Sequence, residues 1–328
     1  MPEAIIIVGS KRRRHEESVS ARWTVETNEK VNGLATLELL GQSVLQRMVE
    51  ELRKAKVDEI TVFVDEPLSS DISAGATNTA WEAASEQLVK FGKKGVDSIL
   101  IAELGAYVEL DFAELFRVHQ ESDKGITRAF HQNSPLSFWV VNPTMLPESQ
   151  EVRGVLHRGD SAEFHASGYI NGLETAADLR RLVNDGLGCR CQFRPQGLEV
   201  KPGIWMAPGA QVERAARIVA PAYIGRDVKI GDECLITRGS NVESNSQVDY
   251  GTAIEDSSIL SNTYVGIGLD LSHSIAHGNS LLNLQHDVLL QISDRAVMRQ
   301  NKQPSARDRY LALDLGIGEP VVTSVGHD

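Results

Sequence analysis

The sequence predicts two folded units, an α/β layer structure followed by a solenoid of short stacked strands, and three observations predict them. Apolar β-branched runs alternate with amphipathic helical stretches through the first half. Aliphatic residues then recur at every sixth position from Val200 to Ile254. A small or modest side chain follows each of these four positions later. A chain of 328 residues can bury two cores, and 41% hydrophobic with 24% charged residues is a globular composition. Forty-five acidic against 33 basic residues leave a net charge of −12, which repels phosphate backbones and anionic lipid. Neither nucleic acid nor a membrane is an expected partner.

Ala4-Ile5-Ile6-Ile7-Val8 reads as a first buried strand, too short for a signal-peptide core or a membrane span, and a cytoplasmic location is expected. Ser43 is placed to cap a helix whose Val44, Leu45, Met48, Val49 and Leu52 share one face. Residues 59–64 are β-branched and bounded by Asp65 and Pro67, a second strand. Trp81, Ala84, Leu88 and Phe91 trace another helix, ended by Gly92 and Gly95, and residues 98–102 form a third strand. Asp111 opens a helix through Phe112, Leu115, Phe116 and His119, residues 137–141 form a strand, and Leu179, Leu182, Val183 and Leu187 mark a last helix. This alternation predicts a mostly parallel sheet with helices on both faces. The Gly- and Pro-containing joint at 194–203 sets the first domain at residues 1–195.

In the second half Val200, Met206, Val212, Ile218, Ile224, Ile230, Ile236, Val242, Val248 and Ile254 keep one phase, which slips by one residue to Ile259, Val265 and Leu271. The slip reads as a one-residue deletion at a corner. Each six-residue unit is a strand plus a bend, with the aliphatic residue inside and Ile204, Ala210, Ala216, Ala222, Val228, Cys234, Ser240, Ser246, Thr252 and Ser258 at the corners. Asn241, Asn245, Asp249, Asp256 and Asn262 fall at or near bends, where short polar side chains bond the backbone. The three cysteines Cys189, Cys191 and Cys234 form no zinc-type pairs, and Cys234 is a corner residue rather than a nucleophile. The repeats are expected to fill residues 196–293. A tail at 294–328 begins as a polar linker, and its Tyr310, Leu311, Leu313 and Leu315 are expected to cap the solenoid.

The repeat resembles the hexapeptide β-helix, three units to a coil, and its left-handed winding is implied by that resemblance alone. Ala4-Ile5-Ile6-Ile7-Val8-Gly9, Leu39-Leu40-Gly41-Gln42-Ser43-Val44-Leu45 and Val57-Asp58-Glu59-Ile60 resemble the opening of the sugar-phosphate nucleotidyltransferases, several of which carry a C-terminal left-handed β-helix. Residues 109–119 and Gly168-Tyr169-Ile170-Asn171-Gly172 with Thr175 and Asp178 resemble later segments of that family. The resemblance implies a Rossmann-like nucleotidyltransferase domain followed by a left-handed parallel β-helix. It also implies NDP-sugar synthesis from a nucleoside triphosphate and a sugar 1-phosphate with Mg²⁺, a role in supplying polysaccharide biosynthesis, and a homo-oligomer formed through the β-helix.

That chemistry needs backbone N–H groups around the triphosphate, cations at the α-phosphoryl group and carboxylates on Mg²⁺. The family's Gly-Gly-x-Gly-Thr-Arg loop is matched by Gly9-Ser10-Lys11-Arg12-Arg13-Arg14, with one glycine where backbone must approach phosphate. The resemblance makes Lys11 and Arg12 the catalytic cations and Gly9, Ser10 and Arg13 the nucleotide contacts; the plain alternative is a solvated charge run. Its two metal aspartates correspond to Glu103 and to the neutral Asn171, and Gln42-Ser43 replaces a Lys-Pro pair. With the glycine-rich loop and both aspartates missing, a non-catalytic scaffold or regulatory subunit, a pseudoenzyme, is one alternative. A hexapeptide-repeat acyltransferase with His273 or His277 as general base is another, although the sequence shows neither histidine a carboxylate partner.

Overall fold

The computed structural model describes residues 2–8, 34–65, 79–146, 152–301 and 321–323. The strands of the first unit are β1 (Glu3–Val8), β2 (Ile60–Asp65), β3 (Ile99–Leu104), β4 (Tyr107–Val108), β5 (Ile126–His131), β6 (Ser134–Val141), β7 (Ala162–His165) and β8 (Ile170–Asn171). Its helices are α1 (Val44–Lys54), α2 (Thr79–Lys93), α3 (Phe112–Glu121), α4 (Val152–Arg158) and α5 (Ala176–Leu187). The main sheet runs β2-β1-β3-β6-β5-β7, with Val321–Thr323 alongside β2. The strands from Val321–Thr323 through β2 and β1 to β3 are parallel, and so are β5 and β7, whereas β6 is antiparallel to both its neighbours.

The hairpin joining β5 to β6 accounts for that reversal. Gln132 and Asn133 both adopt positive φ, 45° and 66°, as the tight turn of a twisted hairpin requires. The expectation from sequence held β6 but not β5, because a Gln-Asn turn lacks the glycine that announces such hairpins. Helix α2 runs through Gly92 to Lys93, and the chain turns at Gly95, whose φ is +76°. Alternation along the strands divides two cores. Ala4, Ile6, Val8, Leu100, Ala102 and Leu104 face α1, α3 and α5, and Ile5, Ile7, Ile99 and Ile101 face α2 and α4.

The second unit is a parallel β-helix, preceded by β9 (Leu198–Lys201) and opened by β10 (Ile204–Met206), β11 (Gln211–Val212) and β12 (Arg217–Ile218). Its three walls stack in register as the period demands: Met206 on Ile224, Val242, Ile259 and Ala276; Val212 on Ile230, Val248 and Val265; Ile218 on Ile236, Ile254 and Leu271. The corner hydroxyls form a ladder. Ser240, Ser246, Thr252 and Ser257 are buried, and each donates to a carbonyl one coil ahead, at 3.2, 3.0, 2.6 and 3.3 Å. Each also accepts an N–H from that coil, at 3.1, 3.1, 3.1 and 2.9 Å. Cys234 holds the same position, its thiol 2.9 Å from the Asp249 carbonyl.

Three expectations are corrected. Ser257 takes the corner in place of Ser258, because the deletion shortens that coil to a 17-residue separation. Val200 lies on β9, antiparallel to β10 and half exposed, so it is outside the stack. Asn245, Asp256 and Asn262 do occupy positive-φ bends, but Asn241 is a fully buried strand residue. Beyond Leu271 the described residues form no further complete coil. Ser274–His277, Ser280–Asn283 and Val288–Gln291 make an antiparallel meander, and Met298–Gln300 crosses a second wall antiparallel to Thr263–Val265. These close the C-terminal end; Tyr310, Leu311, Leu313 and Leu315 lie outside the described residues.

Candidate functional site

The residues placed by resemblance on the phosphate loop, Gly9, Ser10, Lys11, Arg12 and Arg13, lie outside the described residues. The two at the metal positions do not. Glu103 alternates with Ile99 and Ile101 toward α2 and α4, where Arg153 binds its carboxylate at 2.8 Å. Asn171 is buried on the other side of the sheet, beside Tyr107 on β4. Its amide donates to the Asp178 carbonyl at 2.9 Å and accepts the Leu173 N–H at 3.0 Å, fixing the turn into α5. One side chain is neutralised by a guanidinium and the other is neutral with its oxygen engaged, so the pair does not fit a Mg²⁺ ion. Among the described residues no three His, Cys, Asp or Glu side chains gather as a metal site.

A cleft of about 1040 Å³ opens past the carboxyl end of β3, between α1, the segment from Leu104 to Glu114, residues 164–168 and the joint at 192–196. Open α/β sheets bind ligands at such edges. Tyr107 packs edge-on against Phe193 at 5.0 Å and donates its hydroxyl to Glu109 at 3.1 Å, so burial and that carboxylate push the phenol far above its ordinary range. Glu109 also accepts the Gln192 N–H at 2.5 Å, tying the cleft floor to the joint. Arg47 projects from α1 into this wall. It is 9% exposed, its guanidinium lies 3.9 Å from the Phe193 ring centroid, and it donates to the Arg194 carbonyl at 2.7 Å. Among the described residues its Nε has no hydrogen-bond partner and no carboxylate forms an ion pair with it, and burial lowers its pKa to about 10. The cleft thus offers an aromatic floor, carboxylate and amide acceptors and, among the described residues, a buried cation without an ion-pair partner.

Below the cleft a buried polar line joins the two units. Ser43 and Gln46 form a reciprocal capping box that starts α1, and just ahead of it Leu40 and Gly41 make a positive-φ turn, 52° and 86°. A side chain at Gly41 would stand 2.3 Å from the Tyr223 hydroxyl, which only glycine permits. The turn presents the N–H groups of Leu40 and Gly41 to the fully buried Glu243 carboxylate at 2.7 and 3.1 Å. Asn241 donates to the same carboxylate at 2.6 Å, and its oxygen accepts Arg180 of α5 at 3.0 Å. Arg180 also reaches Ser258 at 2.8 Å, the Gly239 carbonyl at 3.0 Å and Asp256 at 2.8 Å. Glu38 accepts the hydroxyls of Ser244 and Ser261 at 2.5 and 3.1 Å. Burial, then the Glu38 charge, holds the Glu243 carboxyl well above the usual carboxylate range.

His273 has the carboxylate partner that the sequence did not show, for its Nδ1 lies 2.7 Å from Asp256 Oδ2. Asp256 is also the acceptor for Arg180, so this histidine caps the docking network. Sequence reasoning missed Arg47, Arg180 and Glu243. Arg47 and Arg180 left one signal, a charged residue inside an otherwise apolar helical stripe.

No known family model matches the chain, and no curated protein matches it. Among solved structures the chain is similar to a protein from Bacillus anthracis assigned as a glucose-1-phosphate thymidylyltransferase and solved with a sucrose. The two are 12% identical with a TM-score of 0.39, over 55% of this chain and 93% of that one. A likeness at that level transfers no residue role to this site.

Proposed function

We propose that this chain is a sugar-phosphate nucleotidyltransferase-like protein that acts as a ligand-binding regulatory or scaffold subunit instead of making NDP-sugars. The observation that carries this reading is the state of the two metal positions, Glu103 paired with Arg153 and Asn171 committed to backbone at both ends of its amide. The cleft supports binding without turnover. Arg47 supplies a buried positive charge for an anionic group, while Glu109, Gln192 and Gln196 offer partners for hydroxyls. On this reading the chain works in the cytoplasm, beside enzymes that make or use activated sugars.

The test is pyrophosphate release from a panel of nucleoside triphosphates and sugar 1-phosphates with Mg²⁺, alongside calorimetric binding of the same compounds. Binding of at least one compound, weakened tenfold or more by Arg47→Met, with no pyrophosphate above background, is the expected result. Mg²⁺-dependent release that Arg12→Ala abolishes would instead establish an active enzyme with a basic phosphate loop. The His273–Asp256 pair gives the acyl-transfer reading a specific observation, and it predicts acyl-coenzyme A turnover lost in His273→Ala.

A further inference from the structure

We infer that Glu243 and Glu38 form a proton-dependent latch at the junction of the units that holds the two walls of the cleft in place. The inference rests on the cleft being a binding site and names how that site is regulated. Glu243 is fully buried, and Glu38 is bonded to the neighbouring Ser244. The Glu243 Oε1 accepts the Leu40 N–H and the Asn241 amide at 2.7 and 2.6 Å, whereas Oε2 accepts only the Gly41 N–H at 3.1 Å. Oε2 is therefore the oxygen that can carry a proton while the other keeps its donors. The charged and titratable groups around this carboxyl are Glu38 ahead of the turn, Arg47 on α1, and Tyr223 and Arg226 on the solenoid. Arg180 of α5 reaches it only through Asn241. Among the described residues none of these cations bonds the Glu243 carboxylate, and Arg47 is engaged with the Arg194 carbonyl instead.

The turn that Glu243 holds is bonded to both walls of the cleft. The Leu40 carbonyl accepts the N–H of Gln196 at 2.9 Å, and Gln42 donates its amide to Glu50 at 2.5 Å; Gln196 and Glu50 both line the cleft. One residue on, Ser43 starts α1, whose Arg47 ties that wall back to the joint through the Arg194 carbonyl. With a proton on Oε2 the buried carboxyl is neutral and only Glu38 is charged. Without it two like charges meet at a site closed to water, and the relief open to them is withdrawal of the Leu40-Gly41 turn and entry of water. Gln196 and the start of α1 move with that turn, so the cleft loosens. Burial and then the Glu38 charge raise the folded carboxyl from 4.5 to about 8, so the latch is shut at neutral pH and opens as pH rises through about 8.

Hydrogen exchange of the full chain, read by mass spectrometry from pH 6 to 9 and corrected for the intrinsic base-catalysed rate, tests the latch. The expected result is that protection of peptides covering residues 38–44 and 192–197 falls about tenfold or more across that range, while peptides from the solenoid walls hold theirs. Glu243→Gln is expected to abolish the fall. Glu38→Gln, which leaves Glu243 in place but removes the neighbouring charge, is expected to move it to lower pH, with melting curves confirming that each variant is folded. Protection that stays level in the wild-type chain, a fall of equal size in Glu243→Gln, or a midpoint unmoved by Glu38→Gln would each overturn the inference. No nucleotide or sugar enters this assay, so its failure leaves the binding reading standing, and a binding panel without a hit leaves its result unchanged.

Discussion

Replacing Arg180 by Met is the sharpest test of how the two units are held. The side chain is 6% exposed and its guanidinium meets Asn241, Ser258, Gly239 and Asp256 between 2.8 and 3.0 Å. Methionine fills much of the same volume but donates nothing. The Gly239 carbonyl then loses this donor and Asp256 loses its cation, while Asn241 still accepts the Ser258 hydroxyl at 2.5 Å. Breaking a buried pair costs about 3–5 kcal/mol, and because Asp256 keeps 33% of its side-chain surface in water the expected loss falls to about 2–4 kcal/mol. Urea unfolding followed by far-UV circular dichroism and tryptophan fluorescence measures it. Arg180→Lys keeps the charge without the planar fork and is expected to fall between. A loss below about 0.5 kcal/mol for Arg180→Met would mean that apolar packing alone holds the units, and the docking account would fail.

Three further expectations follow from the same region. In Glu243→Gln the pH dependence of stability should flatten: the folded carboxyl, raised from 4.5 to about 8 by burial and by Glu38, contributes stability that is full below about 4.5 and lost as pH rises through about 8. Melting curves from pH 5 to 9 decide it, and an unchanged slope in the variant would place the titration elsewhere. Gly41→Ala meets both the positive φ and the Tyr223 hydroxyl and should cost at least about 1–3 kcal/mol by urea unfolding, whereas Tyr223→Phe removes a buried hydroxyl that has no hydrogen-bond partner among the described residues and should be neutral or stabilising. Ser246→Ala removes a corner hydroxyl that joins the Leu260 carbonyl to the Thr263 N–H, an expected loss of about 1–3 kcal/mol by the same assay.

The solenoid was legible because each coil repeats the same physical demand: one aliphatic residue inward and one small residue at each corner, written into sequence at a fixed period. Helices α1 and α3 were legible through Ser43 and Asp111 ahead of their apolar stripes, and α5 through its apolar stripe, its cap Thr175 being seen only in the structure. The hairpin strand β5 was missed because its turn is Gln132-Asn133, and Val200 kept the period without joining the stack. The site was less legible. Glu243 finds Leu40 across a separation of 203 residues, and a pairing made once at that distance leaves no periodic trace. Leu39-Leu40-Gly41-Gln42 was singled out for its resemblance to the opening of the sugar-phosphate nucleotidyltransferases, and in this chain its turn spends its backbone donors on the solenoid.

That use of the turn bears on why the junction is polar at all. The walls of a β-helix are built from near-identical units, so an apolar contact would fit several walls and several coils about equally well. Arg180, Asn241 and Glu243 meet on one wall only, and a position shifted by one coil would bury charges and an amide without partners. The desolvation they suffer is offset by hydrogen bonds in one register alone, so the network fixes which face of the solenoid lies under α5. The same register sets the path of residues 192–196, which line the cleft and lead directly into β9. A single buried line of polar side chains therefore fixes the cleft wall relative to the solenoid, which apolar packing between repeats would leave free to slide.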